Sequence, residues 1–122
     1  MSKQIVICDD AEFMRVALSD ILTKEGYEIA GIAKNGMEAF ELYVELNPDL
    51  MIVDITMPNM DGVQTLTEIK KVNQDAAVVM CSAQNQPQTI MGALQAGASD
   101  FIIKPFQPKR VLEVVRNVIG SP

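Results

Sequence analysis

The chain contains no histidine. That absence excludes a Ser-His-Asp triad, a histidine-ligated zinc and any phosphohistidine carried on this chain. Cysteine is scarce too. Cys8 and Cys81 are the only two, without a CxxC pair, and both end apolar runs that read as buried strands, so both are expected as core thiols. Bases are outnumbered, 10 Lys and Arg against 16 Asp and Glu, which leaves a net charge of −6 and a pI near 4.5. A polyanion such as DNA would be repelled unless the basic residues clustered, and they do not; no nucleic-acid partner is expected. Long apolar runs are also missing. Ile5–Cys8 is too short for a signal-peptide core and no other run approaches a membrane span, so the sequence predicts a cytoplasmic protein without a membrane partner. Gly31–Gly36 has the glycine spacing of a phosphate-binding loop, but Met37-Glu38 stands where that loop requires lysine and a hydroxyl, and there is no GxGxxG.

What is present is the balance of one domain. The 122 residues are 48% hydrophobic and 21% charged, enough for a single core over residues 1–122 with no output domain. The chain is organised around Leu50–Asp54, an uninterrupted apolar run that ends on a carboxylate and fits a parallel strand covered on both faces. Four further strands read at Lys3–Cys8, at Tyr27–Ala33 (less apolar, hence near an edge), at Ala76–Cys81 ending on Ser82, and at Asp100–Ile103 ending on Lys104-Pro105. Helical spacing joins Met14, Ala17, Leu18, Ile21 and Leu22, with Asp10 expected as cap and Gly26 as terminator. It also joins Ala39, Leu42, Tyr43 and Leu46, ended by Asn47-Pro48, and Val63, Leu66, Ile69 and Val72. Ile90, Ala93 and Leu94 follow the Asn85-Gln86-Pro87 turn, and Val111, Val114, Val115, Val118 and Ile119 form a last helix opened by Pro108. Methionines such as Met14, Met51 and Met80 are expected to fill the core. Five strand–helix alternations with short connections predict an α/β fold, a doubly wound parallel sheet with helices on both faces.

In such a sheet the strand ends Asp9-Asp10, Asp54, Ser82 and Lys104 all fall on one edge, where open α/β sheets bind ligands. Taken singly, an aspartate there is most often a turn former, a serine a turn hydroxyl and a lysine a solvated charge. Together they are harder to dismiss, because unrelated residues would scatter over both edges. Two carboxylates about 4 Å apart repel by roughly 4 kcal/mol at an effective dielectric near 20. Three acids in one pocket therefore require more positive charge than Lys104 supplies. Oxygen donors without nitrogen or sulfur suit Mg2+. A divalent ion, an ammonium and a hydroxyl around a carboxylate nucleophile are also what phosphoryl transfer to form an acyl phosphate needs.

Asp9-Asp10, Asp54 with Met57-Pro58 and Asp61-Gly62, Ser82-Ala83 and Lys104-Pro105-Phe106 resemble the receiver domain of two-component response regulators over the whole chain. The Asp9–Arg15, Asp54–Pro58 and Ala96–Phe101 segments resemble its single-domain chemotaxis members in particular. The resemblance implies a five-stranded, flavodoxin-like sheet of order 2-1-3-4-5, which would keep Cys8 and Cys81 about 9 to 10 Å apart, beyond disulfide reach. It implies that Asp54 is the phosphoacceptor, and that Mg2+ is held by Asp10, Asp54 and the main-chain carbonyl of Thr56, with Asp9 acting through water. Ser82 and Lys104 would hold the phosphoryl oxygens. Ser82 and Phe101 would form the switch, Phe101 by packing alone since it has no hydroxyl. Thr56 and Gln84 flank the phosphoryl position. The implied partners are a CheA-like histidine kinase as donor, a flagellar motor switch protein or other target docked on the face of the fourth helix, fifth strand and fifth helix, and a phosphatase; the implied state is a monomer. Two conformations within a few kcal/mol of each other would carry the signal.

Other readings fit less well. A phosphorelay intermediate or the receiver of a longer regulator would carry the same residues. A haloacid dehalogenase-type phosphatase needs an acid two residues after the nucleophile, where this chain has Thr56. In a flavodoxin-type electron carrier, Asp9 and Asp10 would repel the FMN phosphate.

Overall fold

The computed structural model describes residues 2–57, 60–84 and 86–122. Strands and helices alternate as β1 (Gln4–Cys8), α1 (Glu12–Glu25), β2 (Glu28–Ala33), α2 (Gly36–Leu46), β3 (Leu50–Asp54), α3 (Gly62–Val72), β4 (Val78–Ser82), α4 (Pro87–Gln95), β5 (Asp100–Ile103) and α5 (Pro108–Ile119). All ladders are parallel and the order is β2-β1-β3-β4-β5. The doubly wound α/β sheet is thus the expected one, with β2 at an edge. Pro58 and Asn85 lie outside the described residues.

Successive strand residues face opposite sides of a sheet, so β3 feeds two cores. Met51 and Val53 pack with Tyr43 of α2, Leu66 and Ile69 of α3 and Ala93 of α4. Leu50 and Ile52 pack with Leu18 and Leu22 of α1 and with Val111, Val114 and Val115 of α5. Every residue of β3 is buried, which is why its sequence runs apolar without alternation. Each fully buried leucine or isoleucine contributes about 1.5–3 kcal/mol relative to exposure. Cys8 belongs to the first core and Cys81 to the second, both unbonded. The sheet itself stands between them, a firmer bar to pairing than strand spacing alone.

Local signals end the elements. Gly26 closes α1 with φ 113°, a left-handed conformation that glycine adopts without strain. Asp61 and Gln64 form a reciprocal capping box at α3. Pro87 and Pro108 open α4 and α5, where a missing N–H costs nothing.

Asp10, however, does not cap α1. The position before the helix is Ala11, with no side-chain cap, and its N–H donates to Asp9 Oδ1 at 2.9 Å. Val72 and Leu94 are 55% and 45% exposed. Leu94 sits one residue past Ala93, the single buried residue of α4, and is turned about 100° away from it; Val72 closes α3 beyond Ile69, its last buried residue. Met51 and Met80 do fill the core, but Met37 and Met91 stand half exposed. Among the described residues no helix is long and apolar enough to cross a membrane.

Candidate functional site

Parallel ladders deliver the strand ends to one place. Asp54 is the last residue of β3 and pairs with Cys81; Ser82 ends β4 and pairs with Ile103. Beyond the strands the ladder continues for one step: Asp9 N–H donates to the Ala33 carbonyl at 3.1 Å, Ile55 N–H to Cys81 at 3.0 Å and Lys104 N–H to Ser82 at 2.9 Å. These bonds fix the backbone from which each polar side chain projects.

The side chains converge. Asp9, Asp10 and Asp54 each offer a carboxylate oxygen, all within 4.8 Å of one another. Lys104 Nζ lies 2.8 Å from Asp9 Oδ2 and 3.5 Å from Asp54 Oδ2. Asp9 and Asp54 are buried, whereas Asp10 faces solvent. Burial and the Asp9 charge push the Asp54 carboxyl up to about 6, against the pull of Lys104 and of the Thr56 N–H. Burial alone would lower the Lys104 ammonium, but its hydrogen bond to Asp9 and the charges of Asp54 and Asp9 raise it. It stays protonated at neutral pH.

Among the described residues, two expected residues make no hydrogen bond to the acids' carboxylates. Ser82 is buried at the adjacent strand end, its Oγ accepting from the Gln84 N–H at 3.0 Å. Phe101 packs into the core shared by α2, α3 and α4, 5% exposed. The Thr56 side chain lies exposed at the rim.

Two residues named in the sequence only as parts of motifs prove to support the site. A Cβ at Gly62 would run into the Asp54 carbonyl oxygen, and the Gly62 N–H donates to Ile55 at 2.8 Å, so the loop folds back hard against the strand end. The Asp-Gly dipeptide was a visible signal for such a turn. Arg15, which in the sequence only ends the Asp9–Arg15 segment, is 8% exposed and donates from Nη1 to the Asp9 carbonyl at 2.7 Å.

The donor set suits a hard divalent cation. It offers carboxylate oxygens with no imidazole or thiol, and a net negative charge that one ammonium does not offset.

Residues 5–116 match the family model for the response regulator receiver domain. The chain belongs to that family. This receiver is 52% identical over 118 residues to the chemotaxis protein CheY of Thermotoga maritima, a match covering 97% of this chain and 98% of the relative. It is 50% identical over 120 residues to CheY of Bacillus subtilis, covering 98% and 100%. Among solved structures, CheY in the CheX-CheY-BeF3-Mg2+ complex from Borrelia burgdorferi superposes with a TM-score of 0.92 at 37% identity, covering 95% of this chain and 88% of that one. A receiver of this kind is a signalling switch rather than a classical enzyme. Membership sets aside the dehalogenase-type phosphatase and the flavodoxin-type carrier.

Proposed function

We propose that this receiver is a chemotaxis switch that takes a phosphoryl group on Asp54 from a CheA-like histidine kinase or from a small donor such as acetyl phosphate. The observation that carries the reading is the convergence of Asp9, Asp10, Asp54 and Lys104 on the edge where β3 ends. Asp54, with its carboxyl at about 6, is ionised at neutral pH and poorly hydrated, as a nucleophile should be. One of its oxygens attacks phosphorus, an O–P bond forms, and the donor's P–N or P–O bond breaks with its electron pair leaving on imidazole or acetate. Asp10, Asp54 and the Thr56 main-chain carbonyl would hold Mg2+, with Asp9 acting through water, and the bound ion would supply charge that offsets the acids and the transferred oxygens.

The protein's own groups do the rest. Lys104, already 3.5 Å from Asp54, ion-pairs with a phosphoryl oxygen. Ser82 exchanges the Gln84 N–H for a bond to another oxygen and thereby senses occupancy. Its shift is transmitted beside it to β5 and Phe101, which biases the α4–β5–α5 face. Met91, Leu94 and Ile103 are exposed there, apolar side chains suited to a protein target such as the flagellar motor switch. Incubation with labelled acetyl phosphate and Mg2+ tests the acceptor: the parent should gain hydroxylamine-sensitive label and Asp54→Asn none. A pull-down with and without beryllofluoride tests the output, and a partner retained equally in both would sink the switch.

A further inference from the structure

Arg15 is a buried cation without an acid. It lies in the first turns of α1, more than nine-tenths buried, and among the described residues it forms no ion pair. Its Nε has no hydrogen-bond partner. Burying an unpaired guanidinium costs several kcal/mol unless another interaction compensates. Among the described residues the guanidinium makes one hydrogen bond, from Nη1 to the main-chain carbonyl of Asp9 at 2.7 Å.

That bond completes a clamp. Asp9 is held through its N–H by the Ala33 carbonyl at 3.1 Å, through Oδ1 by the Ala11 N–H at 2.9 Å and through Oδ2 by Lys104 at 2.8 Å. Arg15 takes its remaining polar group, the carbonyl that forms the peptide bond to Asp10. Asp10 itself is exposed, and among the described residues no hydrogen bond holds its carboxylate. A ligand without a bond of its own is aimed only by its backbone.

We infer that Arg15 is a positioning residue: by fixing the Asp9–Asp10 peptide it aims the Asp10 carboxylate into the acid cluster and so sets the affinity for the divalent cation. The inference rests on the metal reading given above. Two effects of losing Arg15 run in opposite directions. Removing a buried positive charge beside an anionic site should tighten cation binding, whereas releasing the peptide should weaken it. Outer partners that orient metal ligands typically account for 10- to 100-fold in affinity.

The test is calorimetric titration of the full chain with Mg2+, well below its melting temperature, for the parent, Asp10→Asn, Arg15→Met and Arg15→Lys. The expected result is a dissociation constant raised about tenfold in Arg15→Met and by less in Arg15→Lys, whose ammonium can still donate one bond. An unchanged or tightened constant in Arg15→Met overturns the inference while leaving the site reading intact. A parent that does not bind Mg2+, or an Asp10→Asn that binds as well as the parent, overturns the site reading and this inference with it. If Arg15→Met does not fold, Arg15→Lys decides: a constant raised threefold or more supports the assignment and an unchanged one overturns it. A purely structural role would lower the melting temperature and leave the constant of the folded protein alone.

Discussion

The Lys104 ammonium sits 2.8 Å from Asp9 Oδ2, with the two side chains only 15% and 2% exposed. Among the described residues it is the one cation paired with the carboxylates of the acid cluster, and Asp54 Oδ2 lies 3.5 Å from it. Replacing it with methionine keeps the volume and leaves buried carboxylates facing one another. Lys104→Met should lose about 3 kcal/mol in urea unfolding without divalent ions. Added Mg2+ should restore part of that loss in the variant. A midpoint equal to the parent's in metal-free buffer would show that the pair does not hold the pocket together.

Asp54 links stability to pH in the opposite sense to an ordinary salt-bridged acid. Its carboxyl protonates at about 6 in the folded chain, against an ordinary 3.8, mainly because it is buried. Between those values the folded chain holds the proton more tightly than the unfolded one. Stability is therefore greatest below about pH 4 for this group and drains away as the pH rises through 6, by up to about 3 kcal/mol. Asp54→Asn removes the penalty. Without divalent ions it should be more stable than the parent by about 2 kcal/mol near neutral pH, and the two should melt alike near pH 4.

The two thiols should be inert in the native protein. Burial pushes both Cys8 and Cys81 up to about 12, and they lie on opposite sides of the sheet. Labelling by a thiol reagent at neutral pH should proceed only at the rate of opening or unfolding, for both residues. Rapid modification of either in folded protein would contradict its placement.

Glycines at two positions should respond with opposite sign. A Cβ at Gly36 would run into the main-chain oxygen of Met60 and the Thr65 hydroxyl, neither of which can move away cheaply. Gly36→Ala should cost about 1–3 kcal/mol. Gly92, within α4, has nothing within 4 Å of its would-be Cβ. Gly92→Ala should stabilise by about 0.5–1 kcal/mol, since alanine loses less entropy in a helix. Paired denaturation curves check both.

Where the sequence was legible, local rules and tertiary needs agreed. The apolar runs ending at Cys8, Asp54, Ser82 and Ile103 announced buried parallel strands because such strands are covered on both faces and need no alternation. Asp54 was legible for the same reason, as the carboxylate on which the most apolar run stops. Asp10 misled: an acid ahead of a helix usually caps it, but here Asp9 takes the Ala11 N–H and leaves Asp10 directed elsewhere. Leu94 misled because helical spacing shows that a stripe exists without showing how narrow its contact is, and α4 buries only Ala93, with Ile90 packed partly buried against the same core. Arg15 and Gly36 gave no warning, since the Asp9 carbonyl that Arg15 meets is a main-chain group, and the Met60 carbonyl and Thr65 hydroxyl beside Gly36 reach it only through the tertiary fold.

Asp9 and Lys104 are 95 residues apart in sequence, and their bond forms only when the last strand has joined the sheet. A copy that is unfinished, or clipped before β5, retains three mutually repelling acids and no ammonium to balance them. On the proposed reading of Asp54 as phosphoacceptor, such a fragment would lack the ammonium that offsets these acids. Under the function proposed above, truncation before β5 is therefore expected to silence the chain without any separate device to do so.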